Sequence, residues 1–141
     1  MTINKLDKQS TTTWLEDGII YSEIRDELSL KNLLEAEEAA LKIVKEHNLS
    51  HVPTIVIMSE NLNDKVVLGV SEFGKAISSN QIVKHLTSVA IVGAGEHMKR
   101  VGGMFNKLFF SNRIHFFDNL QEAQVFSREA LSNALPILEQ P

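Results

Sequence analysis

Apolar positions change period twice between residues 88 and 117. Val89-Ala90-Ile91-Val92 is a continuous apolar run ended by Gly93-Ala94-Gly95, the pattern of a strand covered on both faces. Ile114-His115-Phe116-Phe117 gives a second such run after Ser111-Asn112-Arg113. Between them, at about 100° per residue, Met98, Val101, Gly102, Met104, Phe105, Leu108 and Phe109 share one arc of roughly 160°. Glu96, Lys99, Arg100, Asn106 and Lys107 fall opposite. The spacing predicts one β-helix-β unit, with an apolar arc wide enough to cover more than a sheet.

The rest of the chain reads in the same terms. Residues 1–10 are polar and unpatterned, a loose lead-in. Thr11-Thr12-Thr13-Trp14-Leu15 and Ile19-Ile20-Tyr21-Ser22-Glu23-Ile24-Arg25 have strand character and flank turn chemistry at Glu16-Asp17-Gly18, which predicts a hairpin. Ser29 is placed to cap a helix whose apolar residues Leu30, Leu33, Leu34, Ala40, Leu41 and Val44 keep helical spacing, and Asn48 is placed to stop it. Residues 52–58 read as a buried strand with Pro53 near its start.

Val66-Val67-Leu68-Gly69-Val70 fits a short strand or an apolar lead into a helix. Ser71 is placed to cap a helix from Glu72, and Ser78-Ser79-Asn80 interrupts it or starts another through Ile82, Val83 and Leu86. Asn119 with Glu122 fits a capping box for a last helix with Leu120, Ala123, Phe126, Ala130, Leu131 and Ala134 inward. Pro136 is expected to end or kink it near Leu135. Strands alternating with helices predict an α/β domain with right-handed crossovers and about four helices packed on a mixed sheet. The 141 residues show no repeat or linker, which predicts a single domain.

Composition narrows the function classes. With 43% hydrophobic and 23% charged residues the chain is globular, and no apolar run approaches the ~20 residues that span a bilayer. A net charge of -4 argues against nucleic acid as a partner. No cysteine is present, which excludes disulfides and thiolate chemistry, and the N-terminus lacks the pattern of a secretory signal. A cytoplasmic protein is the expectation.

The order of elements resembles the STAS group of domains, in particular the bacterial stand-alone SpoIIAA-like, or STAS/SEC14-like, proteins. The residues that carry the resemblance are Glu16-Asp17-Gly18-Ile19-Ile20-Tyr21, Ile55-Val56-Ile57, Ser88-Val89-Ala90-Ile91-Val92, the Phe/Met-rich helix, Phe116-Phe117 and Gln121-Glu122-Ala123, over roughly Trp14 to Leu131. The resemblance implies a non-enzymatic fold used for protein-protein switching or for holding a small or lipid-like ligand. In the antagonist proteins, a serine at a helix start within an Asp-Ser-Ser/Thr-Gly segment is phosphorylated. Here the comparable place reads Leu68-Gly69-Val70-Ser71-Glu72-Phe73-Gly74, so Ser71 alone carries over, as a phosphorylation site or helix cap, and the missing Asp-Ser pair speaks against a kinase-operated switch.

Other candidate chemistry is sparse. Gly93-Ala94-Gly95-Glu96-His97-Met98 starts like a dinucleotide fingerprint but lacks the third glycine and follows a late strand, so it reads as a strand-to-helix turn. The histidines at 47, 51, 85, 97 and 115 offer no helical ligand pair, since Asn48 and Pro53 break the register between His47 and His51. No metal, cofactor or catalytic residue is expected. Glu37 falls inside the apolar arc of its helix, where a carboxylate must snorkel, find a cation or line a ligand cavity.

The leading expectation is a regulatory or ligand-binding module that holds a small apolar or lipid-like molecule between the 96–110 helix and the sheet. Glu37, Met98, Val101, Met104, Phe105, Phe109, Phe110 and Lys107 are the candidate contacts. The alternative is a protein-interaction module of the anti-sigma-factor-antagonist type, a homodimer through the same helix. Phe110, on the polar side beside Lys107, Arg100 and Arg113, adds a peripheral membrane contact as a further candidate.

Overall fold

The computed structural model describes residues 6–7, 10–25, 29–58, 85–96, 99–100, 102–103, 107 and 113–139. Six strands form one sheet in chain order: β1 (Leu6–Asp7), β2 (Thr11–Glu16), β3 (Ile19–Ile24), β4 (Val52–Met58), β5 (Leu86–Val92) and β6 (Ile114–Phe117). The first three are antiparallel neighbours, and the pairings from β3 to β6 are all parallel. The predicted hairpin is present. Glu16 pairs with Ile19 across a two-residue turn in which Asp17 (φ 53°) and Gly18 (φ 79°) are both left-handed, the turn whose twist suits a hairpin.

Helix α1 (Leu30–Glu46) starts and stops where the sequence places its caps. Ser29 Oγ accepts the Asn32 N–H at 3.2 Å. At the other end Asn48 takes φ 57°, and the Leu49 N–H donates to Val44 O at 2.9 Å while the Asn48 N–H donates to Lys45 O at 3.4 Å, a Schellman closure. Helix α2 (Leu120–Glu139) is opened by the predicted pair: the Glu122 N–H donates to Asn119 Oδ1 at 2.9 Å, and Asn119 Nδ2 donates to Glu122 Oε1 at 3.0 Å, so the return bond runs between side chains instead of to the backbone N–H of a full capping box.

Side-chain alternation along the strands divides the core into two layers. Ile20, Ile24, Val52, Met58, Leu86, Val89, Ile91 and Ile114 pack with Ala40, Ile43 and Val44 of α1. Ile19, Tyr21, Ile55, Ala90 and Val92 pack with Ala123 of α2. Between β5 and β6, helical backbone occurs at Glu96, Lys99, Arg100, Gly102, Gly103 and Lys107. Gly102 abuts Phe116, which packs on the α1-side layer, so this segment shares that face with α1, as right-handed crossovers between successive strands require.

Four expectations are corrected. Leu6–Asp7, inside the stretch expected to be a loose lead-in, pairs antiparallel with Thr12 and Thr13 as the edge strand β1. Two helices are described from end to end, α1 and α2, rather than about four. Leu86 opens β5 instead of closing a helix; a register shift between Val52 and Pro53 leaves Thr87 between the partners Leu86 and Ser88, at the point where proline has no N–H for the ladder. Helix α2 runs past Pro136 to Glu139 rather than ending near Leu135. The N–H that proline lacks would have bonded four residues back to the carbonyl of Ser132, an exposed residue. The readings of residues 66–84, including Ser71, lie outside the described residues.

Gly93, at φ 84°, ends β5, and a Cβ there would lie 2.8 Å from Met58 O. Gly93→Ala is therefore expected to lower unfolding free energy by about 2 kcal/mol through backbone strain and the carbonyl clash together, read as a lower urea midpoint at unchanged slope.

Candidate functional site

The β5-to-β6 segment begins at the Gly93-Ala94-Gly95 turn, and its first described helical bond runs from the Lys99 N–H to Gly95 O at 2.9 Å. Its inward side is fixed by Gly102. That residue is buried, and a Cβ on it would sit 2.5 Å from Phe116 Cζ, so helix and sheet touch there without room for a methyl group. With Gly102 inward, Glu96, Lys99, Arg100 and Lys107 are all exposed, as the helical arc predicts. Gly103 differs from its neighbour: among the described residues nothing lies within 4 Å of where its Cβ would be. Arg113 does not join the basic face in the way expected, because it is half-buried and its Nη1 donates to Leu86 O at 2.6 Å, tying the starts of β5 and β6 together.

Glu37 is buried, at 8% exposure, on the side of α1 that meets the sheet, as its helical phase predicts, and it has an interaction partner. The strands beneath α1 are unusually polar. Thr11, Thr13 and Ser22 are buried there, with Thr13 Oγ1 and Ser22 Oγ 3.3 Å apart. Thr11 Oγ1 and Thr54 Oγ1 are buried without a hydrogen-bond partner among the described residues. On the opposite face Trp14 stacks on Tyr21 at 5.2 Å and 4°, and Gln124 Nε2 donates to the Tyr21 hydroxyl at 3.1 Å.

No protein-family model matches the chain, and no curated protein matches it. A solved structure does: an uncharacterized protein from the DUF3478 family with a SpoIIAA-like fold, from Shewanella loihica PV-4. It is 12% identical, superposes with a TM-score of 0.53, and the match covers 89% of this chain and 92% of that one. The fold is SpoIIAA-like.

Within this SpoIIAA-like frame two of the expected site residues are described. Glu37 and Lys107 are described, on α1 and on the β5-to-β6 segment, with Glu37 buried and Lys107 exposed. Met98, Val101, Met104, Phe105, Phe109 and Phe110 lie outside the described residues, as does Ser71. Among the described residues no group of three or more His, Asp or Glu could hold a metal, and no helix is long and apolar enough to cross a membrane. Sequence reasoning passed over Gly103 and the buried hydroxyls. The threonines read only as β-propensity, and adjacent glycines in a helical pattern gave no sign that one is packed and the other open.

The two glycines predict opposite outcomes for the same substitution. Both gain helix propensity as alanine, but Gly102→Ala must displace the Phe116 ring. Gly103→Ala is expected to raise stability by about 0.5–1 kcal/mol and Gly102→Ala to lower it by about 1 kcal/mol or more. Thermal unfolding of the two variants beside the wild type checks this.

Proposed function

We propose that this protein is a cytoplasmic, non-catalytic interaction module that engages another protein through the exposed basic residues Lys99, Arg100 and Lys107 of the segment between β5 and β6. The observation that carries the reading is the contact of Gly102 with Phe116, which closes the space between helix and sheet at that point while Lys99, Arg100 and Lys107 are exposed. The SpoIIAA-like fold supports it in a general way, since the STAS domains that the sequence resembles include protein-protein switches. A bilayer is the weaker occupant. Each of three cations near an anionic membrane contributes about 1 kcal/mol, and about 3 kcal/mol in total corresponds to an affinity weaker than millimolar. The chain's net charge of -4 opposes even that attraction.

A second reading, the internal small-molecule or lipid-like ligand, is favoured by the α1 side of the sheet. There a buried carboxylate, Glu37, accompanies the unpartnered hydroxyls of Thr11 and Thr54. Buried polar atoms without partners are what a bound polar group or water would satisfy. The two readings separate by native mass spectrometry of the protein as purified. The interaction reading expects the mass of the chain alone, and a bound species of a few hundred daltons would transfer the assignment to the ligand. Thr11→Val gives an independent measure. An unpartnered hydroxyl is replaced by a methyl at nearly no cost, so the melting temperature should hold or rise, whereas a loss above about 1 kcal/mol would mean that something bonds to Thr11 Oγ1.

A further inference from the structure

We draw no further inference here: the strongest candidate, the surface patch on the α2 side of β6 where the rings of His115, Phe117 and Phe126 cluster beside the exposed carboxylates of Glu122 and Glu129, carries nothing because nothing in the structure shows what covers it.

Discussion

Strands β4 and β5 are buried on both faces, and that constraint arranges everything else. Ile55 and Ala90 are fully buried toward α2, while Val52 and Ile91 are buried at 1% and 5% exposure toward α1. Because the strands stand in the sheet in chain order, each parallel connection steps in the same direction, and right-handed crossovers put their helices on one face. Among the described helices α2, which follows the last strand, covers the other. It extends from its cap at Asn119 to the hairpin turn, where Leu131 Cδ2 would lie 2.9 Å from a Cβ on Gly18. The chain thus closes its own sheet with its final helix, and the basic segment is left on the outside of the opposite layer.

What was legible in the sequence is what neighbouring residues decide among themselves. The Asp17-Gly18 turn, the Ser29 cap, the Asn48 stop and the Asn119–Glu122 pair each depend on groups within a few residues, and each is found. The alternation of the strands and the outward placement of Lys99, Arg100 and Lys107 follow from period alone. What failed depends on distant partners. Leu86 keeps helical spacing with Ile82 and Val83, yet it pairs with Val52 across a bulge fixed by Pro53. Pro136 has the local signature of a helix end, yet α2 runs through it to Glu139. Arg113 looked like one of several surface cations and is committed to the Leu86 carbonyl.

The buried hydroxyls argue in two directions, and their positions decide the weight. Thr11 aligns with Ile24, whereas Thr54 aligns with Ile20 four residues along β3, so the two unpartnered groups on the α1 side do not lie together. Ser88 Oγ on β5 and Ser127 Oγ on α2 are unpartnered as well, and Ala123, one turn from Ser127, packs in the layer on the opposite face. Scattered groups of this kind fit the use of small β-branched or hydroxyl side chains to bring elements close, more than the lining of one cavity. A lined cavity would gather them around Glu37. That distribution is why an internal ligand ranks behind a surface partner.

Three glycines along one crossover complete the argument. Gly93 is required by its backbone angle and by the Met58 carbonyl, and Gly102 by the Phe116 ring. Both are satisfied by the fold itself, and a side chain at either would disturb it. Gly103 breaks the same local preference for alanine, and among the described residues nothing compensates. A glycine kept against local propensity, with no neighbour among the described residues to require it, is where a functional constraint is expected rather than a folding one.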